Sequence, residues 1–251
     1  MTILLVTLAL ALLVGVSVGL LGGGGSILAV PILVYVAGLD PKVAIATSLV
    51  VVGATAAAGA IPHALAGRVQ WRTAAIFGVT GMVGAYGGGR AAAFVPGEWL
   101  LAAFGVMMAV TAVAMLGGGR RPSTEPRTGP LPLGHIVVEG LVIGAVTGLV
   151  GAGGGFLVVP ALVLLGGVPM ATAVGTSLVV IAVKSGAGLL GYLSSTSVDW
   201  RLAAAFTAAA IVGSLGGGRL AGRVPDETLR RAFGWFVLAM GVVMIMQQFL
   251  P

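Results

Sequence analysis

The chain has no cysteine among its 251 residues, only two histidines, His63 and His135, and only 8% charged side chains. Without cysteine there are no disulfides, thiolate metal sites or cysteine-based reactions, and two imidazoles alone do not build a metal centre. No metal and no cofactor is expected. The scarcity of charge excludes more. With 58% hydrophobic residues, a soluble globule of this length would have almost no polar surface to offer water. The ten-residue alternation of barrel strands is also missing. In lipid the backbone must then satisfy itself as helices, and the expected fold class is an all-α polytopic membrane protein.

The 13 basic and 7 acidic residues, net +6, lie almost entirely between the apolar runs. Arginines in that position mark cytoplasmic loops and not a nucleic-acid surface, so the expected partner is the lipid bilayer and no nucleic acid. Nothing in the chain specifies an oligomeric state. The stretch from Met1 to Gly19 has no basic n-region, and its counterpart near His135 is internal, so it is expected to be the first helix of the fold and not a cleaved leader.

What is present is glycine, 43 residues of it, and its placement is not even. Gly22, Gly23, Gly24 and Gly25, followed by Ser26 and Pro31, recur as Gly151, Gly153, Gly154 and Gly155 with Pro160. Sliding the chain by 129 residues aligns Gly19–Gly105 on Gly148–Gly234 without a gap. Roughly two-fifths of the pairs are identical, the mark of an internal duplication. Thr47-Ser48-Leu49-Val50-Val51 falls on Thr176-Ser177-Leu178-Val179-Val180, Trp71-Arg72 on Trp200-Arg201, and Gly87-Gly88-Gly89-Arg90 on Gly216-Gly217-Gly218-Arg219. The expected organisation is a first membrane repeat over 1–117, a polar linker over 118–133 and a second membrane repeat over 134–251.

Apolar segments run over 3–21, 27–38, 43–61, 73–93 and 99–117, then 135–150, 156–166, 171–193, 202–221 and 232–250. This predicts about 8 to 10 membrane segments, the longer ones able to cross roughly 30 Å of hydrocarbon at about 1.5 Å per residue. The segments after the glycine clusters are too short for that and carry a proline. They read as broken or re-entrant helices, the alternative being a pair of tilted helices joined by a turn. Loop charge orients the halves. Arg68 and Arg72 make 62–72 basic in the first half, whereas Arg219, Arg223, Arg230 and Arg231 make 219–231 basic in the second. The bias has changed sides, which predicts two inverted repeats with both termini outside, against which Arg90 counts.

A half-helix beginning at Ser26 or Gly155 presents free N–H groups and about half a positive charge, a setting for a small anion near the bilayer midplane. Close helix packing is the other use of such glycines. The clusters are not nucleotide fingerprints, since no Lys-Ser/Thr follows and no strand precedes. The hydroxyls of Thr47, Ser48, Thr176 and Ser177 follow at similar depth, to donate to an oxyanion or to bond back to their own helices. Lys184 lies near the middle of its segment and aligns with Thr55, so the duplication does not explain it. An ionisable group there is a functional candidate because it costs about 2.5–3.5 kcal/mol even on insertion scales; the alternative is snorkelling. Trp71-Arg72 and Trp200-Arg201 read as interfacial anchors. The substrate-binding set is therefore Gly22, Gly23, Gly24, Gly25, Ser26, Thr47, Ser48, Gly151, Gly153, Gly154, Gly155, Thr176, Ser177 and Lys184, with no catalytic residue. No nucleophile–base or metal-ligand set suggests an enzyme.

The glycine break, the Val-Pro pairs Val30-Pro31 and Val159-Pro160 and the following Thr-Ser-Leu, present twice, resemble the sulfite exporter TauE/SafE family of membrane permeases over nearly the whole chain. The resemblance implies a multi-pass protein of the bacterial inner membrane. Its expected function is a secondary transporter, an exporter of a small sulfur-containing anion such as sulfite or an organosulfonate. A passive anion channel on the same scaffold is the alternative. Thiosulfate carriers that use paired cysteines are set apart by the absence of cysteine here.

Overall fold

A computed structural model describes residues 2–21, 24–116, 133–151, 155–160, 162, 168 and 170–220, together with 231, 234–235, 238–239, 241–242 and 246. No strand occurs among the described residues. The helices are α1 (Thr2–Leu21), α2 (Ala29–Pro31), α3 (Pro41–Leu65), α4 (Trp71–Ala91), α5 (Gly97–Leu116), α6 (Leu133–Val150), α7 (Gly155–Pro160), α8 (Met170–Tyr192) and α9 (Trp200–Leu220). They follow the apolar segments closely, because each begins where sequence chemistry allows. Pro41 supplies a first helical residue that needs no N–H partner. Asp199 caps α9, its carboxylate accepting from the N–H groups of Arg201 (3.1 Å) and Leu202 (3.0 Å).

The chain after the first glycine cluster is irregular. A 3-10 turn over Gly24–Leu28 leads into α2, and a π-helical turn over Ile32–Val36 follows. Its short turn begins at Gly24, two residues before the expected start, whereas α7 begins at Gly155 as expected. Residues 26–33 are all buried. Gly22, Gly23, Gly153, Gly154 and the linker over 118–132 lie outside the described residues.

Two glycine-lined helix pairs hold the molecule together. On the α4–α6 seam Gly144 meets Gly81, Gly84 meets Leu141 and Ala145, and Gly88 meets Ala145 and Leu149, each so closely that a methyl on the first-named glycine would overlap partner backbone. On the α1–α9 seam Ala210 meets Gly15, Gly213 meets Leu12 and Val16, and Gly217 meets Val16. Moving every residue by 129 positions turns one set of contacts into the other. Each repeat therefore lays its first helix on the other repeat's later helix. Glycine is needed here because lipid tails are as apolar as leucine, so helices gain from association mainly by close backbone approach.

Contacts also give the helix senses. Numbers rise together along α4–α6, and along α4–α8 from Gly81 beside Lys184 to Gly89 beside Gly191. These three helices therefore run the same way. Because α6 and α8 share a sense, the chain must return between them, and α7 lies on that return. Along α3–α8 the numbers oppose one another: Gly188 touches Leu49, Gly53 touches Ser185 and Gly59 touches Leu178. These two helices, the same position in the two repeats, cross antiparallel near Gly53.

Pro41–Leu65, Thr172–Tyr192 and Trp200–Gly217 are long and apolar enough to cross a membrane. The exterior is apolar too, with Leu5, Leu13, Val79, Val83, Val110, Leu190 and Val212 exposed. In water such a surface would be an aggregation hazard; in lipid it is solvated.

Candidate anion-binding site

The site grows from the C-terminal end of α6. A helix leaves its last carbonyls without intrahelical donors, and here side chains from two other helices supply them. The Ser48 hydroxyl reaches the Gly151 carbonyl at 2.8 Å, sharing its proton with the Ile45 carbonyl at 2.7 Å. The Tyr192 hydroxyl donates to the Leu149 carbonyl. Gly151 itself has φ +74, and a side chain there would run into Ile45. Only glycine serves both needs. Tyr192→Phe keeps the ring but leaves the Leu149 carbonyl without this donor, so the variant is expected to lose about 1–3 kcal/mol in a thermal-denaturation comparison.

One turn before Gly151, Thr147 meets Lys184. The lysine is 1% exposed, and its Nζ donates to Thr147 Oγ1 at 3.2 Å. Thr147 spends its own proton on the Ile143 carbonyl at 2.6 Å, so it faces the lysine as an acceptor. The α4 surface is flat at this level: a methyl on Gly81 would lie 3.8 Å from Lys184 Cδ, which leaves the stem its room. Among the described residues no carboxylate pairs with the ammonium. A buried cation with one neutral partner has donors to spare for an anion.

The duplication makes the lysine's setting informative. Shifted by 129 positions, Lys184 becomes Thr55, Thr147 becomes Val18 and Gly81 becomes Ala210. All three positions differ between halves, the lysine, its hydroxyl partner and the small residue that it lies against. Thr55 is buried, with its hydroxyl unpartnered among the described residues. Only the second half holds the charge.

The other expected site residues divide. Ser48, Gly151 and Lys184 come together, linked through Thr147, whose carbonyl also accepts from the Gly151 N–H at 2.9 Å. Thr47 is fully buried, and its hydroxyl has no partner among the described residues. Thr176 accepts from the Gln70 N–H at 3.0 Å, so it holds the turn before α4. Ser177 bonds back to the Val174 carbonyl at 2.8 Å. Gly24, Gly25 and Ser26 lie in the 3-10 turn, which packs against α7. The irregular turn of the first half therefore touches the short helix of the second. Sequence reasoning missed Thr147, Gly81 and Tyr192. For all three a signal existed, since each is a place where the duplication fails, Tyr192 falling on His63, but only the failure at Lys184 was weighed. No cluster able to hold a metal occurs among the described residues.

Equivalent helices that cross antiparallel, an irregular turn after the first glycine cluster and, among the described residues, a buried lysine with no carboxylate partner, all under an apolar exterior, mark a helical membrane protein with a polar site in its interior. The family model for the TauE/SafE sulfite exporters matches residues 7–244, and the chain belongs to that family. A probable membrane transporter protein of Xylella fastidiosa (strain 9a5c) is 39% identical over 247 residues, covering 96% of this chain and 95% of its own. YunE of Bacillus subtilis (strain 168), also named a probable membrane transporter protein, is 28% identical, covering 96% of this chain and 94% of its own. A third such protein, MJ0441 of Methanocaldococcus jannaschii, is 29% identical over 77% of this chain and 75% of its own. No solved structure matches.

Proposed function

We propose that the protein is a secondary transporter of the bacterial inner membrane that exports a small sulfur-containing anion, sulfite or an organosulfonate. Two inverted halves would work by alternating access around a site between them. The observation that carries the reading is Lys184, a fully buried lysine whose described partner is a neutral hydroxyl. A tetrahedral or pyramidal oxyanion offers it the charge and the acceptors that the protein withholds. Inversion is supported by the opposed senses of α3 and α8 and by the change of side in the basic loops. In this arrangement Lys184 neutralises the anion. Thr47 and Ser48 on α3 line the site beside Gly151, whose N–H and carbonyl are taken by Thr147 and Ser48, and Gly22, Gly23, Gly24, Gly25 and Ser26 with Gly153, Gly154 and Gly155 complete the proposed lining. Thr176 and Ser177 belong to the symmetry-related wall.

The test is flux. Purified protein in liposomes is expected to show counterflow with trans-acceleration for at least one of sulfite, sulfate, thiosulfate, taurine and sulfoacetate. Ohmic single-channel currents would show a passive anion channel instead. No flux of any of the five would sink the sulfur-anion assignment.

A further inference from the structure

We propose that each monovalent substrate anion is carried together with one proton, and that the proton resides on Lys184. The inference rests on the transporter reading above, because it concerns the same site.

The argument starts from charge balance in a dry interior. An isolated ammonium taken out of water is so unfavourable that a buried group gives up its charge unless a counter-charge is present. Lys184 is 1% exposed and lies near the middle of a membrane-length helix. Its described partner cannot settle its charge. The Thr147 hydroxyl proton is committed to Ile143, so Thr147 accepts equally from an amine or an ammonium. It positions the nitrogen and leaves the charge to be decided by what else arrives.

Among the described residues the neighbouring elements supply no counter-charge. On α4 the lysine faces Gly81, and the titratable groups of that helix, Arg72, Tyr86 and Arg90, lie toward its start or five and more residues beyond Gly81. On α6 it faces Thr147, and Glu139 is about two turns, or about 12 Å, further back along the axis. On α3, Lys42 bonds the Ala93 carbonyl (3.1 Å) at the end of α4, and His63 lies beside Gly175 near the start of α8. The described part of α7, Gly155–Pro160, has no titratable residue. On α8 itself Tyr192 is about two turns beyond Lys184 and bonds to Leu149.

The site then has two low-energy states. Empty, it holds a neutral amine. Filled, it holds an ammonium and an anion of opposite charge. Loading adds one proton and one anion from the same side, giving –NH3+ beside the anion; unloading returns both to the other side and restores –NH2. A state with only one of the two leaves an unpaired charge in the interior and is disfavoured. Carrying the loaded or empty site across the membrane moves no net charge.

The experiment uses the full-length protein in liposomes with isethionate, a sulfonate whose charge does not change with pH, and with sulfite. Wild-type uptake of isethionate should acidify the lumen, and an imposed pH gradient should drive its accumulation by about tenfold per pH unit at equilibrium. Lys184→Arg keeps a fixed cation, so counterflow should persist while pH-driven accumulation disappears. Isethionate accumulation that follows an imposed membrane potential and ignores pH overturns the proposal, as does a Lys184→Arg protein that still accumulates tenfold. Should the variant fail to fold, titration calorimetry of wild-type protein in buffers of different ionisation heat decides: uptake of about one proton per bound isethionate supports coupling, and none overturns it. If wild type moves neither of these anions nor sulfate, thiosulfate, taurine or sulfoacetate, the sulfur-anion reading fails, and this inference with it; flux without protons defeats this inference alone.

Discussion

Replacing Lys184 by methionine is expected to lower affinity for the transported sulfur anion by on the order of 100-fold or more while leaving the protein folded. Methionine has nearly the same length and fills the space beside Gly81, so packing on α4 is kept. What is lost is the charge-assisted donor. Removing one partner of a desolvated charge pair costs about 2–5 kcal/mol. Stability should move the other way. The lysine's nitrogen is buried with no carboxylate among the described residues, and exchanging such a desolvated polar group for an apolar one of similar volume is neutral or modestly stabilising. Titration calorimetry with the anion identified by counterflow, beside a thermal-denaturation profile, measures both. Unchanged affinity would remove Lys184 from the site, and a collapsed melting temperature would make the lysine a structural residue.

Gly151→Ala is expected to be the most damaging single methyl in the site. Two separate physical costs meet there. Its φ of +74 is left-handed, which costs a non-glycine residue about 1–2 kcal/mol. The added carbon would also overlap Ile45, and overpacking costs about 1–3 kcal/mol more. Gly38 separates the two, because it has φ +72 with nothing within 4 Å of an added methyl. Gly38→Ala should therefore lose about 1–2 kcal/mol and Gly151→Ala about 2–5 kcal/mol, with transport falling only in the second as the Ser48–Gly151 bond is displaced. Equal losses in the two variants would show that Ile45 yields and that α6 ends in a loosely packed place.

Much of the architecture was legible along the chain because it is local. Helix positions follow apolar runs, prolines and caps, and the 129-residue offset depends on nothing but residue order. The offset bears on the packing too, in that Gly88 and its copy Gly217 sit at matching close approaches on the two equivalent seams. The candidate site was only half legible. Thr47 and Thr176 look alike in sequence and differ in the fold. Thr176 is occupied by Gln70, a residue 106 positions away, whereas Thr47 is unpartnered among the described residues. No window of the chain contains that difference.

By itself the sequence determined that this is a duplicated helical membrane protein with a glycine cluster in each half and one lysine that the duplication does not explain, since composition and periodicity act over short distances. Tertiary structure alone decided that α3 and α8 cross antiparallel, that Ser48 and Tyr192 cap the end of α6, and that Thr147 is the lysine's partner. Those are contacts across 103, 43 and 37 residues, set by how glycine-lined helices can approach one another in lipid, and a buried charge takes its meaning from what such approaches place beside it.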